Sequence, residues 1–149
     1  MQRPVFHLFL TLLAGVVSSL PLAGAGPADD FEGARWIWYS REPMPSSIDF
    51  PAGNAYFRGS FELPAGAAIE AAELCITADN LWLLHVNGSP AGACDMEPDH
   101  WSQAQRIDVT NLLAAGRNVI GVEAVNTAPG PAALVVSVKV RMAGGQTVR

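Results

Sequence analysis

Leu81-Trp82-Leu83-Leu84-His85-Val86 runs straight into Asn87-Gly88, and this stretch decides the fold class. Trp82, Leu84 and Val86 share one face of an extended chain, while Leu83 and His85 point the other way. Such a period of two marks a strand with one buried face. Asn and Gly both accept the positive φ of a type I′ turn, so Asn87-Gly88 predicts a tight hairpin. Pro90–Ala93 is then the returning antiparallel strand.

The same pattern spreads in both directions. Upstream, Ala71–Ala78 places Ala72, Leu74, Ile76 and Ala78 on one face, and Asp79-Asn80 breaks the strand. Ala55–Leu63 aligns Phe57, Gly59, Phe61 and Leu63 against Arg58, Ser60 and Glu62. Arg35–Tyr39 is a dense aromatic strand signal, and the proline-rich stretch Ser40–Asn54 after it is loop. Downstream, Arg106–Val109 is a short strand, and Leu112–Ala115 is a single helical turn closed by Gly116. Asn118–Asn126 and Ala132–Met142 are strands, the latter with Leu134, Val136, Val138 and Val140 inward. The tail from Ala143 is expected to fray. About eight short strands separated by turn signals, with no amphipathic helix, predict an all-β sandwich of two antiparallel sheets.

Length and charge narrow the function. The 149 residues suit one domain, and eleven prolines with fourteen glycines favour short elements joined by turns. The net charge is −5, and the basic residues, with Lys139 the one lysine, are scattered. Nucleic acid needs a concentrated positive patch, so it is not an expected partner. An anionic membrane surface is disfavoured on the same ground. Arg3, the apolar run Val5–Val17 and the small residues Ala23-Gly24-Ala25 read as a signal peptide over residues 1–25. An uncleaved anchor is the other reading, but the run is short for a bilayer. The expected division is a signal peptide (1–25), a lead (26–34), a sandwich domain (35–142) and a tail (143–149), in a secreted or periplasmic protein. Export permits a disulfide between Cys75 and Cys94. It would close a loop of about twenty residues and contribute roughly 3 kcal/mol. The alternative is a buried thiol on a strand and an unrelated loop thiol.

A series of short segments carries a resemblance: Trp36-Ile37-Trp38, Tyr56-Phe57-Arg58-Gly59-Ser60-Phe61, Ile76-Thr77-Ala78-Asp79-Asn80, Val86-Asn87-Gly88, Asp108-Val109-Thr110, then Leu113, Gly116, Asn118, Val119, Ile120, Val122 and Asn126. In order and spacing it resembles the galactose-binding-like jelly-roll domain. It is similar to the N-terminal β-sandwich domains of bacterial α-L-rhamnosidases and to the sugar-binding domain of family 2 glycoside hydrolases. The resemblance covers about residues 35–141. It implies a jelly-roll sandwich flanking a separate catalytic module that holds the catalytic acids. The sequence shows no such module, so no catalytic residue is assigned and an enzyme is not expected. The shared segments are mostly structural, and none is a sugar-contact signature.

The candidate site is the polar loop Cys94–Gln105. Sugar recognition needs an aromatic plane for the apolar face of a pyranose and polar groups for its hydroxyls. Trp101 is the candidate platform, with Asp95, Glu97, Asp99 and His100 as polar partners. The competing reading has Trp101 plugging one end of the sandwich above solvated acids. Two carboxylates roughly 5–10 Å apart make a glycosidase, but no deep cleft accompanies Asp95, Glu97 and Asp99. There is no Gly-x-Ser-x-Gly elbow and no phosphate-cradling glycine loop. Trp82 belongs to the core, and Trp36 and Trp38 cover its edge or stack on ligand. His85 is a surface histidine, and no zinc spacing exists. No cofactor is expected, apart from a structural calcium of the kind related sandwiches hold. Asp29, Asp30, Asp49, Asp79, Asp95 and Asp99 are its available carboxylates, with no contiguous ligand run.

Two functions follow. The first is a secreted carbohydrate- or glycoconjugate-binding module, an accessory to a glycosidase. The second is a structural or protein-interaction domain, a remnant of a longer glycoside hydrolase, without sugar affinity and with a protein or catalytic subunit as its partner. Exposed aromatics beside a shallow polar groove favour the first, and burial of all four tryptophans favours the second.

Overall fold

A computed structural model describes residues 31–39, 49–94 and 100–149. The expected signal peptide, Asp29, Asp30, Asp95, Glu97 and Asp99 lie outside these residues. Eight strands are formed: β1 (Gly53–Leu63), β2 (Ile69–Asp79), β3 (Leu81–Val86), β4 (Ser89–Ala93), β5 (Gln105–Asp108), β6 (Gly116–Asn126), β7 (Ala133–Met142) and β8 (Thr147–Val148). They build two four-stranded antiparallel sheets, β1-β6-β3-β4 and β5-β2-β7-β8. The all-β sandwich therefore stands.

Alternation explains the core. Trp82, Leu84 and Val86 of β3 meet Val122 and Ala124 of β6 on the inner face of the first sheet. Leu74, Ile76 and Ala78 of β2, with Leu134 and Val140 of β7, supply the inner face of the second. Burying one such large aliphatic side chain contributes about 1.5–3 kcal/mol, so these two facing layers hold the sandwich together. Asn87 and Gly88 adopt φ of +51° and +83°, the hairpin turn that the Asn-Gly pair predicts. Pro90 follows on β4, an edge strand where a missing N–H is tolerated.

Four local expectations are corrected. Arg35–Tyr39 is not a strand: only Ile37 pairs, with Leu134 on the edge of β7. The chain leaves that edge as Trp38 turns onto Phe50 and Phe57, its ring 6.1 and 5.7 Å from theirs. The helical turn over Leu112–Ala115 is instead a 3₁₀ turn at Thr110–Leu112, with Leu113 already extended. Asp108 Oδ1 accepts the Thr110 N–H at 2.9 Å and winds this turn earlier than the apolar run suggests. The tail does not fray throughout, since β8 pairs with Val140 and Arg141 of β7. Gly144 and Gly145, at φ of +90° and +82°, make the reversal that permits it.

The fourth correction concerns the cysteines, which are not joined by a disulfide. Cys75 alternates with Leu74 and Ile76 and so lies on the outer face of the second sheet. Cys94 packs against the core between the sheets, where its sulfur accepts the Trp82 N–H at 3.1 Å. The second sheet separates the two thiols, a relation that the spacing of two cysteines does not reveal.

Candidate functional site

The turn between β2 and β3, the 3₁₀ turn at His100–Ser102, the β6–β7 loop and residues 49–52 gather at one end of the sandwich. Asp79 and Asn80 form its centre, joined by a cis peptide. Asp79 Oδ1 accepts a hydrogen bond from Asn80 Nδ2 at 2.6 Å. Partial burial pushes the Asp79 carboxyl above its ordinary value.

Hydrogen bonds from distant parts of the chain pin the rim. Asn80 Oδ1 accepts both the Thr127 N–H at 3.0 Å and the Thr127 hydroxyl at 2.9 Å. Buried Asn126 donates through Nδ2 to the carbonyls of Phe50 and Pro51. Phe50 and Gly130 exchange a pair of backbone bonds. A loop held at both ends in this way presents its polar groups in a fixed geometry, which lowers the entropy cost of binding.

Trp101 stands on a 3₁₀ turn at His100–Ser102, and its side chain is 47% exposed. Its carbonyl accepts the Thr77 hydroxyl at 2.7 Å. Thr77 is two residues before Asp79 on the same strand face, so the bond fixes the Trp101 backbone roughly 7 Å along β2 from Asp79. This contact also buries Thr77 on the outer face of β2.

The structure thus keeps Trp101 as an accessible aromatic and does not use it as a buried plug. Asp95, Glu97 and Asp99 lie outside the described residues, and His100 is placed only as the start of the turn. Trp82 is core at 3% exposure, Trp38 is half-buried on its edge, and Trp36 is 52% exposed. Asn80 was legible only as a strand breaker, and its role in holding the Thr127 loop depends on a contact 47 residues distant.

The fit to a calcium ion is poor among the described residues. No three His, Cys, Asp or Glu side chains converge there. Asn80 Oδ1 is committed to Thr127, and Asp49 is exposed. A hard cation wanting six or more oxygens finds no such set.

Two sheets of this order, closed by pinned loops at one end, define a galactose-binding-like all-β domain. Comparison finds it similar to a segment of α-L-rhamnosidases. An α-L-rhamnosidase of Streptomyces avermitilis is 34% identical over 122 residues, which are 80% of this chain and 11% of that protein. The crystal structure of Streptomyces avermitilis α-L-rhamnosidase complexed with L-rhamnose superposes with a TM-score of 0.68 and 28% identity, over 83% of this chain and 12% of that one. A lectin from Pleurotus ostreatus shares the fold, with a TM-score of 0.65 and 23% identity over 77% of this chain and 32% of the lectin. No protein-family model matches the chain. The chain therefore spans about a tenth of the curated relative's length.

Proposed function

We propose that this chain is an exported, non-catalytic module that binds carbohydrate at the end of the sandwich bearing Asp79, Asn80 and Trp101, as an accessory to glycoside hydrolysis. The observation that carries the reading is the tie between Trp101 and Thr77. It anchors the backbone of an exposed tryptophan roughly 7 Å along β2 from Asp79, on a rim that is already ordered. An indole offers its face to the C–H groups of a pyranose, and the Asp79 carboxylate accepts hydrogen bonds from hydroxyls. The similarity to a segment of a rhamnosidase supports a glycan as ligand, and L-rhamnose-containing glycans are the first probes. The matched segment is a small part of that protein, which supports an accessory role.

Affinity electrophoresis of the chain lacking residues 1–25, in gels containing rhamnose-rich polysaccharide, tests the reading. Retarded migration that Trp101→Ala abolishes supports it. Equal mobility with and without polysaccharide, across a glycan array as well, removes it. N-terminal sequencing of the exported protein, with Gly26 expected first, tests the leader.

A protein-docking role has one observation in its favour. Trp36, Ile37 and Tyr39 are each at least half exposed on the edge beside β7. In that case, a catalytic subunit retains the chain in a pull-down that sugar does not compete.

A further inference from the structure

We infer a second saccharide-binding surface, on the outer face of the β1-β6-β3-β4 sheet, that takes a neutral polysaccharide. The strand register builds it. Tyr56, Glu123 and Leu83 form one row across β1, β6 and β3, and Arg58, Gly121 and His85 form the next. Gly121 has no side chain at the centre of this second row, and a Cβ built there meets nothing within 4 Å. The result is a shallow depression of about 630 Å³ floored by β6 and walled by Tyr56, Arg58, His85 and Glu123.

The walls are ordered before any ligand arrives. Asn54 Nδ2 and the Tyr56 hydroxyl donate to the same oxygen of Glu123, Oε1, at 2.6 and 3.1 Å. Oε2 is left as an acceptor. The Tyr56 bond ties its hydroxyl across to β6, and the residue is 75% exposed. The Arg58 guanidinium has no hydrogen-bond or ion-pair partner among the described residues. An exposed tyrosine ring, an oriented carboxylate acceptor and an available guanidinium donor match the C–H face and vicinal hydroxyls of a pyranose.

The charge arrangement selects among saccharides. The Glu123 carboxylate and the Arg58 guanidinium both line the depression, so their charges balance and no net positive charge draws in a uronate, which favours a neutral sugar. A shallow site open across the strands suits internal units of a chain rather than a single enclosed terminal sugar. This surface is separate from the loop end, so each can fail alone.

The test is affinity electrophoresis of the full chain in neutral galactan, arabinan, xylan and galactomannan, with polygalacturonate as the anionic comparator. Gly121→Val fills the depression with a residue that suits a strand and whose Cβ meets no neighbour, so it should fold, which its thermal transition checks. Tyr56→Ala removes the platform. Retardation in a neutral polysaccharide is expected, with both variants binding at least about tenfold more weakly, as loss of a central contact residue does. Trp101→Ala should leave this part of the retardation in place. In ¹⁵N-correlated spectra, the amides of Gly121 and Tyr56 should shift on adding that polysaccharide. The inference is overturned if no neutral polysaccharide retards the chain, if only polygalacturonate does, or if Gly121→Val binds like the parent. Binding lost in Trp101→Ala but unchanged in Gly121→Val leaves the loop-end site alone.

Discussion

Asn87 donates through Nδ2 to Oδ1 of Asn118 at 2.9 Å, joining the β3–β4 hairpin turn to the start of β6. Asn118 is fully buried, and its amide is fully used. Oδ1 also accepts the Ala114 N–H, and Nδ2 donates to the carbonyls of Ala114 and Gly116. Asn87 in turn donates to the Leu112 carbonyl and accepts the Val119 N–H. Two asparagines thus close the end of the sandwich opposite the Asp79 turn.

Asn118→Ala should be among the more destabilising single changes. It removes the four hydrogen bonds by which a buried amide ties the Ala114–Gly116 turn to Asn87, and such a loss costs about 1–3 kcal/mol in all. A loss near the top of that range is expected, read as a lower urea midpoint with an unchanged slope. A loss within error of zero would mean that water replaces the amide there.

Gly92 and Ile107 should be energetically coupled. A Cβ at Gly92 approaches Ile107 Cδ1 to 2.9 Å and the Trp82 ring to 3.7 Å. The obstructing atom is the end of a flexible side chain, so Gly92→Ala should cost only about 1 kcal/mol. Ile107→Val removes that atom, and the double variant should be more stable than the sum of the single losses implies. Strict additivity in denaturant midpoints would place the strain elsewhere.

The strands were legible because each is long enough to show its period. The β3 span Leu81–Val86 matches its expectation residue for residue, and Asn87-Gly88 names its own turn. What escaped depends on pairings between distant residues. Phase puts both Tyr56 and Glu123 on an outer face, but only the register sets them opposite one another 67 residues apart. Thr77 reads as an outward residue, and it is buried because the Trp101 segment folds over it. The cysteine pairing failed for the same reason, since sequence spacing does not say which side of a sheet a thiol occupies.

Trp82 and Trp101 should separate stability from binding. Trp82 is 3% exposed within the core, and truncating such a residue costs about 3–5 kcal/mol. Trp101 is 47% exposed and holds Thr77 through its backbone carbonyl, which Ala retains. Trp101→Ala should therefore change the thermal midpoint little while abolishing the loop-end retardation. A large fall in its midpoint would make Trp101 a structural plug after all.

Asp108 should make the fold sensitive to acid. Hydrogen bonds from the Thr110 side chain and backbone lower its carboxyl below the ordinary value of 3.8. The folded state therefore holds the ionised form more tightly than the unfolded chain does. That stabilisation is complete above the ordinary carboxylate value and is lost as pH falls through the lowered one. Asp108→Asn keeps an acceptor for the Thr110 N–H but does not titrate. The stability gap between parent and variant should shrink on acidification, as followed by thermal midpoints. A gap that is constant with pH would exclude Asp108 as the source.

Asp79 should act with the opposite sign on stability, and its effect on binding should oppose that in turn. Burial raises its carboxyl above 3.8 and so favours the protonated form in the folded state. Its contribution to stability is present at low pH and declines as pH rises from the ordinary carboxylate value through the raised one. Binding runs the other way, because the ionised carboxylate is the better acceptor for sugar hydroxyls. Acidification should weaken loop-end retardation in rhamnose-rich gels at a pH above that of an ordinary aspartate, while the Asp79 contribution to the thermal midpoint rises. Asp79→Asn should flatten both profiles. If the variant loses retardation with the same pH profile as the parent, another group titrates in the site and Asp79 is not the acceptor.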